Sequence, residues 1–296
     1  MTKISIIGAG KLGSKIAYTL AQRKSSDEIA IVDIMKDVAL GNAIDISQSI
    51  AYSNNTKIIS NGYEDISDSD IVIITAGKPR TPDMNDRLEL AKINANIVSS
   101  VCEQILKHAP NSIVITCSNP MDLMNHIAFK KLGFEQQRVI GFGGRLDGSR
   151  LKYIIANHIN VKTSDINCDV IGEHGQSMTP VFSRLTVNGE KQEFSNTEKE
   201  KITAELRGIA LKIISLKGIT DFAPASGVAD MADAILNNTN LVVPCSMNLE
   251  GENLSIGVPV QLNQNGANIL EWKITDEETK MFNEGKNKLK ELISSL

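Results

Sequence analysis

Lys3-Ile4-Ser5-Ile6-Ile7-Gly8-Ala9-Gly10-Lys11-Leu12-Gly13 joins an apolar, strand-like run to the start of a helical pattern through three glycines. Glycine triples arise by chance, so the spacing Gly8-x-Gly10-x-x-Gly13 gains meaning only from what surrounds it. A strand precedes it, a helix over Lys11–Arg23 follows, and Asp33 ends the next apolar run, Ile29-Ala30-Ile31-Val32, twenty residues past Gly13. Each part has a physical task. Gly8 permits a tight turn, Gly10 lets a pyrophosphate touch the backbone beside Ala9, and Gly13 lets helix and strand pack closely. The helix opening at Lys11 and Leu12 offers free N–H groups and a partial positive charge to phosphates. Asp33 can accept hydrogen bonds from both hydroxyls of a ribose and would repel a 2′-phosphate, so the expected nucleotide is NAD rather than NADP. Lys36 nearby weakens that discrimination. Two other readings stay open on these residues: a glycine turn with a capping aspartate, and the Gly-rich first loop of an S-adenosylmethionine-dependent methyltransferase.

Working outward, strand patterns over Ile4–Gly8, Ile29–Asp33, Lys57–Ser60, Asp70–Thr75, Ser112–Thr116 and Arg138–Gly141 alternate with helical patterns. The helices are expected at Lys11–Arg23, Lys36–Ile50, Leu88–Lys107 and Asp122–Lys131. Runs such as Ile71-Val72-Ile73-Ile74 lack polar alternation, which indicates parallel strands covered on both faces. The fold class is therefore α/β: a Rossmann-type, doubly wound parallel sheet over residues 1–143. After about Gly141 the pattern changes. Asn188-Gly189 and Asn265-Gly266 read as hairpin turns, the first after strand-like Val181–Val187, the second between Ile256–Gln261 and Ala267–Trp272. Long helices are expected near Thr197–Leu216, Ala225–Asn237 and Asp276–Ile293. Residues 144–296 thus form a mixed α+β substrate domain.

Composition narrows the function. The 296 residues are 42% hydrophobic and 22% charged, with 31 Lys+Arg against 35 Asp+Glu and a net charge of −4. That balance excludes a dedicated nucleic-acid binder or a polybasic membrane anchor. No apolar run reaches the ~18–20 residues of a membrane span. The first strand begins at once, so no signal peptide is expected. Cys102, Cys117, Cys168 and Cys245 form no C-x-x-C pair and have no histidine at ligand spacing. They read as buried reduced thiols in a cytoplasmic protein, with no metal site.

Candidate chemistry gathers in three loops. His174, in Ile171-Gly172-Glu173-His174-Gly175, follows a strand and is flanked by glycines, which opens its imidazole to a cleft. Arg80 and Arg87 lie in Gly77-Lys78-Pro79-Arg80-Thr81-Pro82-Asp83-Met84-Asn85-Asp86-Arg87, at the carboxyl edge of the sheet where open α/β folds place ligands. Arg150 follows Asp147 by three positions, on one helix face.

Taken together, Gly8-Ala9-Gly10-Lys11-Leu12-Gly13, Thr75-Ala76-Gly77-Lys78-Pro79-Arg80, Ser118-Asn119-Pro120-Met121-Asp122, Leu146-Asp147-Gly148-Ser149-Arg150 and Gly172-Glu173-His174-Gly175 resemble the lactate/malate dehydrogenase family. Within it they resemble the malate enzymes of the lactate-dehydrogenase-like branch. The motifs keep the family's order, and weaker similarity runs on through Lys217-Gly218-Ile219-Thr220 and Val258-Pro259-Val260. The resemblance implies reversible hydride transfer between NAD and a 2-hydroxy acid. It makes His174 the proton carrier and Asp147 its partner, Arg150 the clamp on the substrate's C1 carboxylate, and Arg87 the arginine of a closing loop. Asn119 would bond the substrate oxygen near the nicotinamide. Cys117 and Ser118 would offer the cofactor backbone contacts, and Asn94 a polar contact. Arg80 would choose the substrate: arginine there suits the second carboxylate of a dicarboxylate, whereas glutamine goes with the methyl of pyruvate. Malate is the expected substrate, with L-lactate or a broader set of 2-hydroxy acids as the alternative, and a homotetramer or homodimer the expected assembly. Three positions depart from the pattern. The Arg80–Arg87 interval is one residue longer than expected, Thr220 stands where malate enzymes often have alanine, and Gln176 stands where aspartate is common.

Overall fold

The computed structural model describes residues 1–78 and 87–295. The first half runs β1 (Lys3–Ile7), α1 (Lys11–Arg23), β2 (Glu28–Val32), α2 (Lys36–Ile50), β3 (Lys57–Ile59) and β4 (Ile71–Ile74). It continues α3 (Arg87–His108), β5 (Ile113–Thr116), α4 (Met121–Leu132) and β6 (Val139–Gly141). Its six strands are parallel, in the order β3-β2-β1-β4-β5-β6. Successive side chains of a strand point to opposite faces. In β4, Ile71 and Ile73 join one core with Ile16, Leu20 and Ile46 of α1 and α2. Val72 and Ile74 join another with Val98, Ile105 and Met124 of α3 and α4. Both faces are covered, and that is why the strand is apolar without interruption. The chain order reverses at β1, so the carboxyl ends of β1 and β4 border the crevice in which open sheets hold ligands.

The second half is α5 (Gly144–Ile159), β7 (Ile166–Asn167), β8 (Val170–Gly172), β9 (Met178–Pro180), β10 (Thr186–Val187), β11 (Glu190–Lys191) and α6 (Asn196–Lys217). Then come α7 (Phe222–Leu236), β12 (Leu241–Leu249), β13 (Leu254–Asn263), β14 (Gly266–Ile269) and α8 (Asp276–Ser294). β12, β13, β8 and β9 extend the first sheet in antiparallel fashion. The joints fall on glycines: Ser246 pairs Gly141, and Gly257 pairs Gly172. A Cβ on Gly257 would lie 2.6 Å from the Gly172 carbonyl oxygen, so only glycine lets these backbones approach. β7, β10 and β11 form a small separate sheet.

The mixed second half agrees with the expected class, and details differ. The Asn188-Gly189 turn has φ of 52° and 82°, the left-handed pair of a tight hairpin. The strand expected over Val181–Val187 contracts to Thr186–Val187, because Phe182–Arg184 takes a 3₁₀ turn. β12 was hidden by Pro244, which argues against a central strand. It is accommodated because Pro244 stands opposite Pro259 of β13, while β6 meets β12 at Ser246. All four cysteines are free and buried. No helix among the described residues is long and apolar enough to cross a membrane.

Candidate active site

The turn from β1 into α1 is built around Gly8, whose φ of +114° lies outside the range that side chains tolerate. A Cβ there would meet Ala76 N at 2.6 Å, and one on Gly13 would sit 1.8 Å from the Gly8 oxygen. Thr75 Oγ1 donates to that same oxygen at 2.8 Å and locks the turn against the end of β4. Gly10 differs: a Cβ would find open space, and no side chain caps the helix it begins. The first N–H groups of α1, at Lys11 and Leu12, therefore face an empty approach. Asp33 closes the far side, its Oδ2 accepting from Ala9 N at 2.6 Å and its Oδ1 from Met35 N at 2.8 Å. One carboxylate is thus fixed beside the glycine turn, at the end of β2.

On the other side of the crevice, His174 follows β8. Its Nδ1 lies 2.6 Å from Asp147 Oδ2, and the second oxygen of Asp147 accepts from Arg150 Nη1 at 3.0 Å. The i, i+3 spacing on α5 lets one carboxylate, itself 1% exposed, serve both cations. Burial opposes a charge on the imidazole. The charge of Asp147 and its hydrogen bond outweigh this, Arg150 pulls the other way, Asp122 adds to the rise, and the net shift is upward from the ordinary histidine value. An imidazole so held has a fixed orientation and can give or take a proton.

Leu12, Cys117, Asn119, Arg150, His174 and Thr220 line a cavity of about 250 Å³ between the two halves. Larger clefts of about 570 and 640 Å³ exist, but neither brings these groups together. Ser118 Oγ donates to the Ala76 oxygen at 2.6 Å. Asn94, 2% exposed, accepts from Lys78 N at 2.7 Å and donates to the oxygens of Asn119 and Lys78 at 2.7 and 3.2 Å. Its amide thus ties Lys78 to the Asn119 turn. Arg80 lies outside the described residues, as does the side chain of Arg87, which opens α3.

Residues 2–141 match the family model described as lactate/malate dehydrogenase, NAD binding domain, and residues 144–296 that of the lactate/malate dehydrogenase alpha/beta C-terminal domain. The chain belongs to the lactate/malate dehydrogenase family. A malate dehydrogenase of Haloferax volcanii is 40% identical over 299 residues, covering 98% of each chain. An L-lactate dehydrogenase of Lacticaseibacillus casei is 34% identical over 305 residues, covering 99% of this chain and 93% of that one. Among solved structures, malate dehydrogenase from Archaeoglobus fulgidus in complex with NADH matches with a TM-score of 0.92 and 34% identity, covering 100% of this chain and 99% of that one.

This lactate/malate dehydrogenase family member is an NAD-dependent oxidoreductase, and its residues fit the nucleotide. The open space over Gly10, the uncapped start of α1 and the Asp33 carboxylate are what a pyrophosphate and a ribose require. Two residues beside His174 received no role from the sequence. Asp122, 3% exposed, accepts from His174 N at 2.7 Å, although an aspartate in the first turn of a helix reads as a dipole partner. Gly143 brings its backbone against the imidazole, where a Cβ would lie 3.0 Å from His174 Cβ. The run Gly141-Phe142-Gly143-Gly144 was its only signal.

Proposed function

We propose that the protein is an NAD-dependent malate dehydrogenase interconverting (S)-malate and oxaloacetate. Arg80 carries the choice of substrate: a second arginine after β4 suits a second carboxylate. A desolvated arginine facing pyruvate's methyl would stay unpaired at a cost of ~3–5 kcal/mol. That corresponds to discrimination of ~100–5000-fold. Support comes from the names of relatives near 40% identity. The roles follow the chemistry of the cavity. Gly8, Ala9, Gly10, Lys11, Leu12, Gly13 and Asp33 hold the nucleotide, with Asn94, Cys117 and Ser118 shaping the wall beside it. NAD, when bound, accepts or supplies the hydride. Arg150 clamps the C1 carboxylate with its planar fork. Asn119 and Arg87 bond the substrate oxygen. His174, held by Asp147, gives that oxygen a proton in reduction and takes it back in oxidation.

The alternative is a lactate or broad 2-hydroxy-acid dehydrogenase, favoured by Thr220 in the cavity wall and by the Lacticaseibacillus relative. Following NADH absorbance with oxaloacetate and with pyruvate separates them. Higher kcat/KM on oxaloacetate supports the malate reading, and Arg80→Gln should then erode the preference. Higher kcat/KM on pyruvate overturns it.

We further propose a division at residues 1–143 and 144–296, a cytoplasmic setting that suits four free thiols, and a homodimer or homotetramer. Ile34, Met35, Val38, Leu40 and Ile44 leave large apolar groups exposed along α2 and the turn before it, as a subunit contact would require. Sedimentation of wild type against Ile44→Glu tests the contact, since a monomeric wild type would exclude it.

A further inference from the structure

Asp122 is an acidic residue in a place that does not need one to satisfy hydrogen bonding. It sits in the first turn of α4 with 3% exposure. Its Oδ2 accepts the backbone N–H of His174 at 2.7 Å. Its Oδ1 and the Asn125 Oδ1 one turn along α4 are buried with no hydrogen-bond partner among the described residues, and the Ser246 hydroxyl of β12 is the polar group beside the carboxylate. An asparagine could accept the same N–H without the cost of burying a charge. Exposed first-turn acids such as Asp37 of α2 and Asp276 of α8 answer the helix dipole from solvent, whereas this one is buried and bonded to the backbone of His174. Its charge therefore has a counterpart, and the cation in reach is His174.

We propose that Asp122 is a positioning residue for proton transfer: it fixes His174 through the backbone and adds a second negative charge to the pocket that holds the imidazolium. This rests on the reading of His174 as the proton carrier. The groups facing the pair are Glu173 on the His174 loop, Asp147 and Arg150 on α5, and the Ser246 hydroxyl on β12. Asp147 contacts the ring, while Asp122 acts from the backbone side of the same residue. Burial pushes the Asp122 carboxyl up to about 6, against the pull of the Ser246 hydroxyl and of His174. The second charge is thus present at neutral pH and withdrawn in mild acid.

The test uses the full-length protein with histidine labelled for NMR. The chain has four histidines, and the His174 signal is identified by its loss in His174→Asn. In wild type this signal should show an inflection near pH 6 from Asp122 in addition to its own titration. In Asp122→Asn that inflection should vanish and the His174 midpoint should fall by about half a pH unit or more. The alkaline limb of kcat/KM for oxaloacetate reduction should fall with it, while NADH affinity stays unchanged. Ser246→Ala, which leaves the carboxylate in place, should move the inflection upward, and serves if Asp122→Asn fails to fold. An unchanged His174 midpoint in a folded Asp122→Asn, or an unmoved inflection in Ser246→Ala, overturns the inference. If the NMR midpoint moves but the activity limb does not, the assignment of His174 as proton carrier fails and the electrostatic coupling stands.

Discussion

At the residue scale the site turns on one carboxylate shared by two cations. Asp147→Asn keeps a hydrogen-bond acceptor for the His174 ring but removes the charge that favours the imidazolium. It also leaves Arg150, whose side chain is 10% exposed, without its ion pair. Turnover in the reductive direction should drop by about 10²–10⁴-fold. In wild type, with the His174 value raised, reduction should be fullest in acid and decline as pH rises through that value, and the variant's decline should begin at lower pH. The same contact bears on folding. A histidine whose folded value is raised stabilises the native state fully below the unfolded value of about 6.5 and loses that contribution as pH rises through the folded value. Arg150→Lys is a different probe. It keeps the charge and loses the fork, so kcat/KM should fall by about 10–100-fold, chiefly through KM. Initial rates with saturating NADH over a pH series check the two variants and the wild-type decline, and melting temperatures over the same series check the contribution to folding. The glycines around His174 and the three-residue Asp147–Arg150 spacing made these residues candidates, and the resemblance of their motifs to the family gave them their expected roles. The role of Asp122 was not legible, since its neighbours Met121, Leu123 and Met124 present it as one polar position in an apolar helix turn, and only the fold brings the loop after β8 onto it.

At the scale of elements, helix ends carry much of the architecture. Ser195 and Thr275 each cap a helix in a reciprocal box, with Glu198 and Glu278 returning the bond. The two boxes are not equivalent. Glu198 is only partly buried and, beyond its own helix, reaches just His158 Nε2 of α5 at 3.6 Å. Glu278, 7% exposed, also accepts from the backbone N–H and the hydroxyl of Ser183 at 2.8 and 2.6 Å, tying α8 to the turn after β9. Ser195→Ala should cost about 1 kcal/mol, an ordinary cap. Glu278→Ala should cost about 2–3 kcal/mol, because it also strands the partly buried donors of Ser183. Urea unfolding of the two variants compares them, and equal midpoints would show that the Ser183 contact adds nothing. The parallel strands and their helices were readable from period alone, α1 and α2 to the residue. Strands β7, β9 and β12 were not. The first two are two and three residues long, too short to show a period, and β12 carries a proline that is tolerated because the partner strand carries another.

At the scale of the whole molecule, the two halves are joined by a sheet and by charge. The sheet crosses from β6 to β12 at a single residue pair, so side chains must hold the crevice walls together elsewhere. Across α1, α5 and α7, Arg23 pairs with Asp230 and Asp233, and Arg145 also reaches Asp230. Nearer the cavity, Asp221 ends the Lys217-Gly218-Ile219-Thr220 run and accepts from Lys15 of α1 and Lys217 of α6, both of which also lie over the Phe222 ring. Burial raises the Asp221 carboxyl, the two lysines outweigh it, and it settles at about 2. A carboxylate with a depressed folded value stabilises the native state above its unfolded value of about 3.9 and loses that contribution as pH falls through about 2. Lys15→Met removes one of the two cations and the only one from the nucleotide-binding half. Asp221 should then protonate at higher pH, so the loss of thermal stability on acidification should begin earlier than in wild type. Asp221→Asn should flatten the dependence between about pH 4 and 2. Melting temperatures recorded from about pH 7 down to about pH 2 for the three proteins read this directly. Parallel curves for wild type and Lys15→Met would mean that the helices, and not this charge pair, set how firmly α1 is held against the second half.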